Sequence, residues 1–196
     1  MAHAVNDEAL DTIFRAARTH RHWQDKPVSP ALLMAVYDLM RWAPTSANTS
    51  PARIVFVVSK AAKERLKPHL DDYNVGKTMS APATAILGYD LDFLRFLPKL
   101  NPRISDGETE FADPKYKEAT AFRSGSLQGG YFILAARALG LDCGPMSGFN
   151  NEGVDREFFA GTKVKSNFLC NLGYGDPSKL HERAPRLSFD EACEIV

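Results

Sequence analysis

"RWAPTSANTSPARIVFVVS", residues Arg41 to Ser59, joins two kinds of local order. Upstream, Leu32, Leu33, Val36, Leu39 and Met40 form a helical apolar stripe, opened by Ser29 as N-cap and Pro30 in the first turn. Downstream, "RIVFVVS" is apolar and β-branched, the composition of a strand. Between them, Pro44 to Pro51 offers hydroxyls, one amide and two prolines, with no charge and no large side chain. A stiff, hydrogen-bonding connector between a helix and a strand sets an α+β expectation, and the rest of the chain extends it.

Toward the N-terminus, Leu10, Ile13, Phe14 and Ala17 follow the acidic start "NDEALD" at helical spacing, which predicts a first helix ending near Arg18. "RTHRHWQDKPVSP" is polar and extended. Toward the C-terminus, "AAKERLKPHL" reads as a helix interrupted near Pro68, and "NVGKTMSAPATAILGYD" as a short helix entering a strand over Thr84 to Tyr89. "DFLRFL" suggests a helical turn, and Asn101 to Tyr116, rich in Pro, Gly and Asp, a loop or lid.

"KEATAFRSGSLQGGYFILAARALG" is the longest helix, closed by Gly140. Its small-sided middle, Ser124 to Gly130, invites close approach by another helix or subunit. "DCGPMSGFN" reads as a second tight connector, followed by a helix near Val154 to Ala160 and a third strand in "KSNFLCNLGYG". Ser188 with Glu191 predicts a capping box. Strands are few and separated among many helices, so α+β is favoured over a doubly wound sheet.

The 196 residues suit a single domain spanning 1–196. Lys+Arg and Asp+Glu each number 24, a zero net charge that argues against nucleic-acid and membrane partners but leaves room for a local basic pocket. Cys143, Cys170 and Cys193 form no CxxC pair, which fits reduced thiols in a cytoplasmic protein. The start "MAHAVNDEALD" lacks the order of a signal peptide, and no apolar run approaches the ~20 residues of a membrane span.

"GYGDPS" lacks the third glycine and the helix of a dinucleotide loop, and no GxSxG or Walker motif occurs. His20 and His22 alternate in "HRHW" without a third ligand nearby, so the expectation is an exposed polar segment and no metal. Three polar clusters remain. Arg18, Thr19 and Arg21 place two cations around a hydroxyl, which suits a phosphate or a solvated helix end alike. Ser46 and Asn48 can bond a ligand edge or cap their own turn. Asn74 and Lys77, one helical turn apart, can point the same way.

The order of these segments resembles the FMN-dependent nitroreductase family over nearly the whole chain. The likeness is carried by "ARTHRHW", "WAPTSANTSPARIVF", "KTMSAPATAI", "EATAFRSGSLQGGYFILAARALGLDCGPMSGF" and "NLGYGDPSKLHERAPRLSFDEAC". The last two resemble most the family members that reduce malonic semialdehyde to 3-hydroxypropanoate in pyrimidine catabolism. The implied fold is a mostly antiparallel sheet surrounded by helices, in an intertwined homodimer with FMN at its interface.

The resemblance also implies roles. Arg18, Thr19 and Arg21 would hold the FMN phosphate and ribityl chain, with Arg183 or Arg186 closing that site. Asn74 and Lys77 would reach the ribityl and the N1/O2 side of the flavin. Pro44, Thr45, Ser46 and Asn48 would line it from the partner subunit. Pro145, Met146, Ser147 and Gly148 would lie at the N5/O4 edge, chiefly through the backbone N–H groups of Ser147 and Gly148.

NADH or NADPH would reduce the flavin, and a small aldehyde would then take hydride from N5 in the same pocket. The sequence names no certain catalytic acid. Arg123, Arg53 and Arg103 are candidates for the substrate carboxylate. Alternatives are a broad nitro- or quinone reductase, and a non-catalytic flavin-binding dimer. Ser50 and Ala52 depart from the family's usual Gln and Trp, which shrinks side chains near the flavin.

Overall fold

The Ser29 hydroxyl accepts the Leu32 N–H at 3.2 Å, and Pro30 supplies a pre-set first turn, so helix α2 runs over Pro30–Met40. The computed structural model describes residues 3–104 and 106–196. Ahead of α2, helix α1 (Asp7–Leu10) continues as a π-helical turn over Asp11–Arg15. The first helix therefore stops short of the expected Arg18. Arg15 ends it by folding back onto Asp7 and Asp11 at 2.7 and 2.6 Å.

The connector enters strand β1 (Ala52–Val57). Helix α3 (Lys60–Leu66) and helix α4 (Asp72–Ser80) lead to β2 (Ala83–Asp90). Short helices α5 (Leu97–Leu100) and α6 (Gly107–Glu110) precede the long α7 (Pro114–Ala138). Then come β3 (Asp142–Met146), α8 (Asn151–Phe158), β4 (Val164–Gly173) and α9 (Phe189–Ala192). Glu191 accepts the Ser188 N–H at 2.8 Å, completing the capping box expected there.

Among the described residues the strands form a sheet in the order β1-β2-β4-β3, each pair antiparallel. Alternate residues of β2 serve opposite faces. Ala83, Ala85 and Leu87 pack with Leu33, Val36 and Met40 of α2 and Phe132 and Ala136 of α7. Ile86 packs on the other side with Leu66 of α3 and Val154 of α8. Each such buried Leu, Ile or Phe contributes about 1.5–3 kcal/mol.

Two further expectations change. "DCGPM" is strand β3, paired from Asp142↔Gly173 to Met146↔Leu169, rather than a connector. Its Pro145 is tolerated because β3 is an edge strand, where a missing N–H breaks little of the ladder. The expected lid over 101–116 holds helix α6 and ends inside α7, and Phe111 is buried against Phe93, Leu94 and Leu97. The aromatic core of that segment anchors it; Ser105 lies outside the described residues. The small-sided stretch of α7 meets the sheet: a Cβ on Gly129 would lie 2.5 Å from the Phe168 ring.

Candidate functional site

Residues after α1 run extended beside β3. Thr19 bridges Cys143, and the His20 N–H donates to the Cys143 carbonyl at 3.0 Å. This pairing turns His20 inward, buried 3.4 Å from Asp142, which corrects the expectation of an exposed segment at that residue. From the C-terminal segment, Arg183 donates to the Ala17 carbonyl at 2.9 Å, and Arg18 donates to the His181 carbonyl. Arg186 bonds the carbonyls of Ala184 and Pro185 at 2.9 and 3.0 Å.

Between the two segments lies a cavity of about 230 Å³. Arg18, Thr19, Arg21, Arg183 and Arg186 line it, as does Arg137 of α7, which sequence reasoning missed. Glu182 is its one carboxylate among the described residues. Arg137 Nη1 donates to the Ile13 carbonyl at 3.0 Å, but its Nε is buried without a hydrogen-bond partner. A buried charged donor without an acceptor is costly. Five guanidiniums around one cavity suit a multiply charged oxyanion such as a phosphate.

Arg21 also borders a second cavity of about 490 Å³, with Lys77, Tyr73, His22 and His181. The Lys77 ammonium sits 4.3 Å from the Tyr73 ring centre, and Arg21 donates to the Tyr73 hydroxyl. Burial, and then the charge of Arg21, pulls the Lys77 pKa down. Trp23 fixes this part of α4 by donating to the Lys77 carbonyl at 3.1 Å.

At the other end of α4, Asn74 donates to the Gly148 carbonyl at 2.6 Å. Thr78 contacts Met146 through its sulfur at 3.6 Å. Pro145 and Met146 thus belong to β3, with Ser147 exposed beyond it. The structure brings Arg18, Thr19, Arg21, Arg183 and Arg186 together, and carries Asn74, Lys77 and the Pro145–Gly148 stretch on one neighbouring helix–strand unit.

The Pro44–Asn48 connector lies elsewhere. Ala52 pairs with Tyr89, whereas Cys143 is level, through Leu172, with Ala83. The offset is about 20 Å along the strands and about 14 Å across them. Ala47, Asn48 and Ser50 have φ of 50, 55 and 43°, a strained non-glycine run. The strain is held locally: Thr45 Oγ1 accepts the Ser50 N–H at 3.1 Å, Asn48 donates to the Leu100 carbonyl at 2.7 Å, and Ser46 N–H meets Ser124 Oγ at 3.3 Å.

The substrate candidates do not meet the arginine cavity either. Arg123 is exposed on α7, Arg103 is exposed, and Arg53 pairs with Asp90 at 2.9 Å. Among the described residues there is no cluster of three or more metal-ligating side chains, and no helix is long and apolar enough to cross a membrane.

The fold as a whole has counterparts in known proteins. The pattern of the nitroreductase family matches residues 14–174, and the chain belongs to that family. A protein of Stenotrophomonas maltophilia, provisionally named NADH dehydrogenase/NAD(P)H nitroreductase, is 58% identical over 197 residues, with 100% of each chain covered. A nitroreductase-class protein of Exiguobacterium sibiricum, solved in complex with FMN, superposes with a TM-score of 0.86 at 17% identity, covering 100% of both chains. A protein of Staphylococcus epidermidis described as an NAD(P)H:FMN oxidoreductase gives 0.83 at 17% identity, covering 100% of this chain and 98% of its own.

Proposed function

We propose that this chain is an NAD(P)H-dependent FMN oxidoreductase that acts as a homodimer and reduces a small aldehyde, malonic semialdehyde to 3-hydroxypropanoate. The observation that carries the cofactor is the arginine cavity, whose five guanidiniums suit a phosphate dianion. Relatives described as binding FMN or using NAD(P)H support the same reading.

In this reading Arg18, Thr19, Arg21, Arg137, Arg183 and Arg186 hold the phosphate. Lys77 places positive charge beside the ring, and Ser147 and Gly148 offer backbone N–H groups at its edge. When bound, FMN supplies the hydride relay from NADH or NADPH to the acceptor. The residues bind, orient and tune that relay.

The displaced connector supports the dimer. Pro44, Thr45, Ser46 and Asn48 sit too far from the arginine cavity of their own chain, so a second copy would have to present them. Exposed Phe122, Leu127 and Tyr131 on α7, with Met34, Leu39 and Trp42 around α2, give an apolar face for that copy. An acceptor of the nitro or quinone class is the second reading, favoured by the names of the relatives.

The visible spectrum and gel-filtration mass of the purified protein test cofactor and assembly together. Anaerobic NADH oxidation with malonic semialdehyde against a nitroaromatic tests the acceptor. Colourless protein that takes up no added FMN sinks the proposal; faster turnover of the nitroaromatic moves it to the second reading.

A further inference from the structure

The Gly148 carbonyl accepts two hydrogen bonds from the start of α4, one from Asn74 Nδ2 at 2.6 Å and one from the Asp71 N–H at 3.2 Å. The Phe149 N–H turns back to the Ser147 carbonyl at 3.1 Å, closing a tight turn centred on Gly148. Asn74 is 5% exposed, and one of its Nδ2–H groups has exchanged water for this carbonyl. A Cβ on Gly148 would lie 2.6 Å from Asn74 Nδ2 and 2.7 Å from Asp71 Oδ2, so the clamp closes on glycine alone.

Two successive peptide planes are fixed by these bonds. Asn74 and Asp71 hold the plane between Gly148 and Phe149, and the turn holds the plane between Ser147 and Gly148. The peptides are trans, so the Gly148 N–H points opposite to the Ser147 carbonyl. Among the described residues that N–H donates to no protein acceptor.

We infer that Asn74 is a positioning residue: it grips the Gly148 carbonyl so that the Gly148 N–H is presented as a fixed, free donor to the bound ligand. This rests on the FMN reading for the identity of the ligand. One Nδ2–H of Asn74 is spent on the Gly148 carbonyl, and the effect of that bond reaches the ligand through the backbone.

Asn74→Asp keeps the shape, removes the donor and sets a carboxylate against the carbonyl. In FMN-free protein, the Asp71 amide should exchange at least about tenfold faster as its acceptor is released. In the loaded enzyme, kcat should fall about tenfold while the FMN Kd stays within about threefold of the parent. Loss of FMN affinity with unchanged Asp71 exchange overturns the proposal and makes Asn74 a cofactor ligand.

A parent that binds no FMN defeats the functional reading, while the exchange measurement on FMN-free protein still decides the clamp. If Asn74→Asp does not fold, Gly148→Ala is compared with and without Asn74→Ser. The clamp predicts that the pair costs less than the sum of the single changes, and strict additivity overturns it.

Discussion

Arg53 and Asp90 face each other at 2.9 Å, with the Asp90 side chain 1% exposed. Asp90 also accepts from Arg95 at 2.9 Å and from the Asp92 N–H at 2.8 Å. Arg53 in turn donates to the carbonyls of Ser50 and Ala52 at 3.1 and 2.8 Å, tying the strained connector to β1. Both terminal nitrogens, Nη1 and Nη2, are thus engaged by the protein. Arg53→Met should therefore destabilise by about 2–4 kcal/mol, because Asp90 keeps its burial and loses a partner. KM for the aldehyde proposed as substrate should stay unchanged. Thermal unfolding with steady-state kinetics checks both; a raised KM at constant Tm would return Arg53 to the substrate.

Lys63 of α3 is buried, and its ammonium donates to the carbonyls of Thr78 and Met79 at 3.1 and 3.4 Å and to that of Ala81. These carbonyls close the C-terminal end of α4, where a cation also meets the negative end of the helix dipole. Lys63→Met keeps the stem and removes the charge. We expect a loss of about 1–3 kcal/mol and faster exchange in the last turn of α4. Burial holds the folded pKa of Lys63 below the ordinary 10.5, so the ammonium stabilises the fold less than the neutral amine does. The parent should thus gain stability relative to the variant as pH rises through that lowered value toward 10.5. A parent–variant difference that is flat with pH would count against this.

Much of the fold was legible because local chemistry and tertiary need agree in α2, α7, β1, β2 and β4. Ser29 caps where an N-cap was expected, and Gly140 takes φ +78° just past α7. β3 was missed because Gly144 and Pro145 disfavour a strand and only pairing with β4 makes one. Arg137 was missed because it stands inside the apolar run "YFILAARALG"; a lone charge beside the buried Ala135 and Ala136 was itself a signal. Arg18 and Arg21 stood out by residue type, which left a phosphate site and a solvated helix end both open, and their meeting with 183–186 depends on a long-range contact that spacing does not encode.

That missed residue carries the third prediction. Arg137 lines the cavity and contributes one charge to it. Arg137→Met should weaken FMN about 10- to 100-fold, the worth of a charge-assisted hydrogen bond. Riboflavin, which lacks the phosphate, should bind parent and variant alike. Flavin fluorescence titrations measure both ligands. An equal loss for riboflavin would mean that Arg137 supports the fold rather than the phosphate.

Lys77 gives the pH dependence. Its pKa lies below the ordinary 10.5, first through burial and then through the nearby Arg21 charge. The attraction of an ammonium for an anionic ligand is present below that pKa and is lost as pH rises through it. FMN affinity should therefore decline over an alkaline window that opens below 10.5. Lys77→Met should bind about three- to tenfold more weakly at neutral pH, since a half-exposed contact is screened by solvent. Above the window, parent and variant should converge. Titrations of the two proteins across that range decide the matter: parallel curves would remove Lys77 from the site, whereas convergence assigns the alkaline limb to its ammonium.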